Sequence, residues 1–543
     1  MGLTGNWDAR ISRRTLLRTG GAATAGALFL GRSPRPADAA PILAGNPFGL
    51  GVASGDPTPE GIVLWTRMVP ELREGIRLPE DLKLPDWIFN LRFEVSTDER
   101  FRRVVRRGTV AAPPRESHTA HAEVTGLRPG TQYWYRFKWG PVVSPAGRTR
   151  TAPAAGSIPA SMRFAYASCQ NYAHGYYTAY ADMAQQDLDL VVHLGDYIYE
   201  GPGTGRPENV RQHAPQAELF SLDDYRTRHA QYRTDPNLQE AHAAFPWLMS
   251  WDDHEFKDNY ADLAIASDEP LETVAERRAA AYLAYWEHAP LARSRKPVGE
   301  NMDLYRRVHW GRLATFHVLD TRQHRSDQMA AQCTQAQRDP ESSYCPVQLD
   351  PGRTILGAEQ RQWLLDGLAA APPEGWNVLA NQVGFAPQAN LVAGRRRFFA
   401  DPWDGYVADR QLILDFLEQR GLRNTVVITG DKHQHSARNV PESYRNIAGP
   451  PIATEFVGTS ISSDGAEGSD TSYGGDANNP HILYDSFQRG YVRVELDSDV
   501  WRNEFRVVGT VLEEQADAWT EATFAVDNGK PGAYLVDRVV SPV

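Results

Sequence analysis

Apolar positions along the chain fall into two regimes. From about Phe48 to about Arg150 they form short runs bounded by turn residues, as in Gly61-Ile62-Val63-Leu64-Trp65-Thr66 and Leu91-Arg92-Phe93-Glu94-Val95-Ser96. Runs of that length predict strands packed as an all-β sandwich domain over residues 48–150. Thr151-Ala152-Pro153-Ala154-Ala155-Gly156-Ser157-Ile158-Pro159 then reads as a linker. Over residues 160–510, apolar strand runs alternate with helical stretches, the pattern of a layered α/β domain. Thr273 to His288 is one such helix, with Ala, Tyr and Trp on one face and Arg277 and Arg278 near its start. Two long polar loops, Gly201–Arg211 and Gln323–Arg353, interrupt the pattern; loops of that length usually line a site or are mobile. Glu504–Val508 and Ala522–Val526 are expected as the last sheet edges, with residues 511–543 forming C-terminal strands and a tail.

The β-rich part carries one more local signature. Leu127-Arg128-Pro129-Gly130-Thr131-Gln132-Tyr133-Trp134-Tyr135 looks like the turn and following strand of a fibronectin type III-like sandwich, in which Tyr133 bonds back to the corner backbone. The domain concentrates no ligand-type side chains and is expected to be structural.

The first 39 residues follow a different logic. Ser12-Arg13-Arg14-Thr15-Leu16-Leu17 is a twin-arginine signature, an apolar Gly- and Ala-rich stretch runs through Leu30, and Ala37-Asp38-Ala39 offers a cleavage site after Ala39. A membrane anchor needs about 20 apolar residues, more than this glycine-interrupted stretch supplies. The reading is therefore export by the twin-arginine machinery to the periplasm or beyond, as a mature protein with no membrane span. A chain of 543 residues exceeds one ordinary core, so at least two domains are expected. With 41% apolar and 23% charged residues it is an ordinary globular composition. Lys and Arg total 57 against 68 Asp and Glu, a net −11 that disfavours nucleic-acid binding.

Candidate chemistry sits where the apolar runs of the second part stop. Phe164-Ala165-Tyr166-Ala167-Ser168 ends at Cys169, and Leu188-Asp189-Leu190-Val191-Val192-His193-Leu194-Gly195 ends at Asp196, with Tyr199 three residues on. Trp247-Leu248-Met249-Ser250-Trp251 ends at Asp252-Asp253-His254-Glu255, and Val378-Leu379-Ala380 ends at Asn381. Thr425-Val426-Val427-Ile428-Thr429-Gly430 ends at Asp431, followed by His433 and His435. One such ending is an ordinary cap or turn. Five strands ending in carboxylate, imidazole, thiol or amide groups point to a shared site, because open α/β sheets bind ligands at strand carboxyl ends. No Gly-x-Ser-x-Gly elbow lies between strand and helix, no P-loop occurs, and no paired zinc-type cysteines are present, which disfavours serine-nucleophile, P-loop nucleotide and structural-zinc chemistry. Of the three cysteines, Cys333 and Cys345 flank one polar loop and are able to pair, leaving Cys169 for another use.

Gly195-Asp196-Tyr197-Ile198-Tyr199, Trp251-Asp252-Asp253-His254-Glu255 and Gly430-Asp431-Lys432-His433 resemble the metallophosphoesterase motifs of the alkaline phosphatase D family. Ala167-Ser168-Cys169-Gln170 and Gly51-Val52-Ala53-Ser54-Gly55-Asp56-Pro57 fit the same family, in the same order. The resemblance implies a four-layered αββα sandwich and a cluster of one ferric and two calcium ions. On that reading Cys169, Tyr199, Asp196 and His433 are the iron ligands, since thiolate and phenolate suit a highly charged redox-capable ion. Asp196 would bridge, and Asp253, Asn381 and Asp431 offer the oxygen that calcium takes. The wider superfamily pattern has Asn where Asp253 stands and His where Asp431 stands, and both departures argue against the alternative of a zinc or manganese pair.

The same pattern places His254 toward the substrate phosphate or leaving oxygen, the alternative being a hydrogen bond that supports a metal ligand; Asn259 is a separate candidate for a phosphate contact. Arg322, after the strand ending at Asp320, is read as a phosphate contact or as the partner of Asp320. Asp252 and Glu255 are supports or caps, and Lys432 and His435 exposed neighbours. The expected activity is hydrolysis of phosphate monoesters or diesters by a metal-held oxygen nucleophile. A phospholipase D-like phosphodiesterase on the same cluster, a calcium-stabilised non-catalytic binding protein and a purely structural exported protein are the alternatives.

Overall fold

The structure is a computed structural model that describes residues 46–69, 87–203, 210–267, 269–328, 333–392, 395–465 and 472–539. The twin-arginine segment lies outside the described residues. Two large sheets face each other. Across the first, the strands run in the order Lys530–Arg538, Ala518–Asp527, Val500–Val508, Gly490–Leu496, Met162–Ala167, Leu190–Leu194, Pro246–Ser250, Val52–Thr58, Gly61–Arg67 and Thr119–Val124. The second runs from Arg306–Trp310 through Ala314–Val318, Trp376–Ala380, Thr425–Thr429, Pro451–Val457, His435–Pro441 and Ile482–Ser486 to Ser472–Tyr473.

The central strands of both sheets are parallel, pairing 162–167 with 190–194 and 246–250, and 314–318 with 376–380, 425–429 and 451–457. Leu190–Leu194, Pro246–Ser250, Trp376–Ala380 and Thr425–Thr429 are buried at every residue, as expected of strands covered on both faces. Between the sheets lies an aromatic-rich core in which Phe164 meets Phe316 edge-on, ring centroids 5.2 Å apart. Cutting Phe164 back to Ala would cost about 3–5 kcal/mol. Helices Thr178–Ala184, Leu222–Tyr232, Pro236–Ala244 and Leu271–His288 bury their apolar faces on the outside of the first sheet. Gly357–Ala370 and Val407–Gln419 cover the second. The four layers are thus helix, sheet, sheet, helix, as the resemblance implied, and the expected helix near 273–288 is Leu271–His288.

The β-rich N-terminal part is stitched into this body. Strand Val52–Thr58 pairs in parallel with Pro246–Ser250, so three N-terminal strands extend the first sheet across the boundary expected at residue 150. A separate sheet of Val104–Ala112, Phe89–Ser96, Gln132–Trp139, Val142–Val143 and Gly147–Arg150 completes the sandwich. The Tyr133 hydroxyl accepts the Arg128 backbone N–H at 2.8 Å, the expected corner bond. At the other end, Ala518–Asp527 and Lys530–Arg538 finish the first sheet, as the C-terminal strands expected there. No helix among the described residues is long and apolar enough to cross a membrane.

Cys333 and Cys345 form a disulfide, and Cys169 is free and buried. Closing a loop of that size typically stabilises by about 2–4 kcal/mol. Denatured without reductant, the protein should therefore titrate as a single thiol by Ellman reagent; three reactive thiols would show the bond is not formed.

Candidate metal centre

The chain is forced into unusual backbone where the strands stop. Cys169 and Asp196 sit at φ 58° and 56°, and Asp431 and His433 at 65° and 51°, the left-handed region that non-glycine residues seldom occupy. All four lie at or just past strand ends, and such strain collects at functional sites. Gly195, at φ 111°, lets the strand end approach its neighbour: a Cβ there would stand 2.4 Å from the Asp252 backbone nitrogen. Buried Glu255 secures both turns, accepting the N–H groups of Asp196 at 3.0 Å, Tyr197 at 2.6 Å and Asp252 at 2.8 Å. Its role is that of a support.

Two groups of ligand atoms result. Those of Cys169, Asp196 and His433 lie within 4.8 Å of one another, as do those of Asp196, Asp253 and His254, so Asp196 belongs to both. The Tyr199 hydroxyl donates to Asp196 Oδ2 at 3.0 Å and lies 3.2 Å from His433 Nε2. Ser463 Oγ is 2.8 Å from that hydroxyl and 2.7 Å from the Cys169 carbonyl. His433 Nδ1 faces the Asp464 carbonyl, which fixes the tautomer with Nε2 as the lone-pair donor.

These residues fit a cation. Asp196 Oδ1 is buried without a hydrogen-bond partner, a costly state for a carboxylate unless a positive charge completes it. Burial, then the Asp196 carboxylate, pushes both the Cys169 thiol and the Tyr199 phenol up. Burial also pushes Asp196 up, joined by Asp253, Asp252 and Glu255 against the pull of His254. A bound cation would reverse these terms and hold the set anionic.

The oxygen-rich half is tied differently. Burial would raise Asp253, but Arg322 and His254 hold its carboxyl below the usual range, and it accepts the Asn259 backbone N–H at 2.6 Å. Asn381 Oδ1 accepts the Trp403 indole N–H at 3.0 Å. Asp431 lies outside both ligand groups; burial and neighbouring Asp401 push its carboxyl up to about 7, against Arg322.

Several expectations need correction. Arg322 is fully buried: its guanidinium meets Asp252 through Nε, Asp401 at 2.6 Å through Nη1 and Asp253 at 3.5 Å through Nη2. It orders carboxylates rather than facing a substrate, and Asp320 accepts only its backbone N–H, at 3.0 Å. Asn259 needs no such correction: its side chain is exposed and donates to Asp258 at 3.1 Å, which is compatible with a phosphate contact. His435 is buried between the Thr459 N–H, at 3.1 Å, and the Arg506 carbonyl, at 3.2 Å, and Lys432 is half-buried, so neither is an exposed neighbour.

One residue was missed. Glu200 is buried and its Oε2 lies 2.7 Å from His254 Nδ1, while the His254 ring stacks on Tyr199 with centroids 4.2 Å apart. Its place directly after Tyr199 in the motif was the available signal.

Gly195→Ala should cost about 1–3 kcal/mol in backbone strain alone and, through the clash with Asp252, strip bound metal from the purified protein. Gly421→Ala, at φ 64° with nothing within 4 Å of its Cβ, should keep metal content unchanged. Equal metal by elemental analysis in both variants would contradict the placement of Asp196 by this turn.

Residues 164–505 match the family model of the PhoD-like phosphatases, and residues 35–153 that of the PhoD-like phosphatase N-terminal domain. The chain is 44% identical over 505 residues to alkaline phosphatase D of Bacillus subtilis (strain 168), covering 92% of this chain and 84% of that protein. It also superposes on the solved structure of PhoD with a TM-score of 0.84 at 43% identity, covering 93% of this chain and 94% of that one.

Proposed function

This chain belongs to the PhoD-like phosphatase family, a family of metal-dependent phosphoric ester hydrolases, and from that premise we propose that it is an exported enzyme that cleaves phosphate monoesters or diesters on an iron–calcium cluster. The observation that carries the reading is Asp196, shared by both ligand groups and holding one buried, unpartnered oxygen. Cys169, Tyr199, His433 and Asp196 would hold the ferric ion, and Asp196, Asp253, Asn381 and Asp431 the calcium. When bound, such cations neutralise phosphoryl oxygens and acidify a water.

The chain's own part is positioning and proton supply. Glu255 and Gly195 set the angle at which Asp196 enters the site, and Arg322 keeps Asp253 ionised and in place. Hydrolysis breaks the bond from phosphorus to the ester oxygen, and that oxygen needs a proton as it leaves. His254 is the group to give it: Glu200 holds Nδ1–H, Nε2 lies 3.8 Å from Asp258 Oδ1, and Tyr199 restrains the ring. Export rests on Arg13 and Arg14, and on the suitability of the twin-arginine route for a protein that must load metal before it crosses. Replacing both with Lys should leave active enzyme in the cytoplasm; unchanged export in cell fractionation would remove the signal assignment.

Asp196→Asn should lower turnover of an aryl phosphate by several orders of magnitude, as loss of the shared ligand implies. Glu200→Gln should be milder and change the pH profile. Burial lowers the affinity of His254 for a proton, but Glu200, then Asp253 and Asp196, raise it well above the ordinary value. An acid with a raised pKa stays protonated until the pH passes that value, so removing Glu200 should move the alkaline limb of kcat to lower pH. An unmoved limb would take His254 out of the proton-donor role. The iron assignment predicts visible absorption that Tyr199→Phe weakens or shifts; a colourless, fully active enzyme holding only zinc would overturn it.

A further inference from the structure

The outer face of the five-stranded N-terminal sheet has a composition the rest of the chain does not prepare for. Register places its residues: Arg92 lies opposite Lys138 and Thr109, and Glu94 opposite Arg136 and Arg107, so these side chains share one face. Lys138 in turn lies opposite Val143. Glu94 is the one acidic residue among these positions. It is met by Arg136 at 2.7 Å, Lys138 at 2.8 Å and Arg107 at 3.6 Å. Burial would raise the Glu94 carboxyl, yet Lys138 and Arg136 hold it at about 2, so it stays ionised against them. Arg92, exposed on the same face, has no ion pair among the described residues, and Arg107 is 68% exposed. The face therefore carries a net positive charge on a chain whose total is −11.

It is also apolar where water would favour polar residues. Ile88, two positions before Asn90 and four before Arg92, is 49% exposed, and Val143 is 43% exposed. Trp134, on this face two residues before Arg136, is only half-buried. Cations set around exposed aliphatic groups and a half-buried indole on one sheet face are the makeup of a peripheral membrane contact: the charges meet lipid phosphates while the apolar groups enter the headgroup layer. A soluble anionic polymer would answer the charge but leave Ile88 and Val143 without a use.

We propose that this sheet face docks the protein on a bilayer containing anionic phospholipid, distinct from and in addition to the metal centre. The test is co-sedimentation of the full-length, metal-loaded chain with vesicles of phosphatidylcholine, alone or mixed with phosphatidylglycerol. The N-terminal 39 residues contribute equally to every form, so differences between variants report the face. Each basic residue near an anionic surface is worth a factor of about five in affinity. Arg92→Ser with Arg107→Ser should therefore weaken binding to the mixed vesicles about 25-fold and leave turnover of a soluble aryl phosphate unchanged. Ile88→Ser with Val143→Ser should also weaken vesicle binding, while leaving binding to soluble polyphosphate as in the parent. Equal vesicle binding by the parent and both variants would overturn the proposal. So would vesicle binding lost only with the arginines, accompanied by equal loss on polyphosphate, which would assign the face to an anionic polymer.

Discussion

Like-charge crowding at the strand ends is the constraint around which this molecule is arranged. Asp196, Asp252 and Asp253 are buried within a few residues of one another in space, with the Cys169 thiol and the Tyr199 phenol against them. A cluster of that sign does not persist in a low-dielectric interior unless something positive is set into it. The protein supplies part of that compensation itself. Arg322 answers Asp252 and Asp253 from one side, His254 answers Asp196 and Asp253 from another, and backbone N–H groups partly offset the charge that Glu255 adds to the repulsion. What is left over, centred on the unpartnered oxygen of Asp196, is the demand that cations meet.

Holding such a cluster in place requires a frame that does not yield. The parallel strands that carry it are buried on both faces, and the positive-φ turns at their ends are affordable only because packing on every side over-determines them. The N-terminal strands add to that frame. By pairing with Pro246–Ser250, Val52–Thr58 braces the strand that delivers Asp253. The loop that carries Asp401 and Trp403 does the same from the second sheet: Asp401 receives Arg322 and Arg325, while Trp403 holds the Asn381 amide. Residues far from the chemistry thus decide how tightly the oxygen-rich half of the site is defined.

The sequence alone determined a good deal. Continuous apolar runs that stop at Cys169, Asp196, Asp253, Asn381 and Asp431 announce buried parallel strands and a common rim, because a strand covered on both faces has no polar positions until it ends. Tyr133 and the cysteine pair were legible for a similar reason: their partners lie 5 and 12 residues away along the chain, so local spacing carries the information. What the tertiary structure decided is everything that joins distant segments. Glu200 was invisible as the partner of His254, Arg322 as the clamp on Asp252, Asp253 and Asp401, and His435 as a buried residue between Thr459 and Arg506, because each contact spans dozens of residues and ion pairing leaves no periodic trace. The boundary near residue 150 was legible from composition, but that strand pairing runs across it was not, because hydrogen bonding between strands is indifferent to composition.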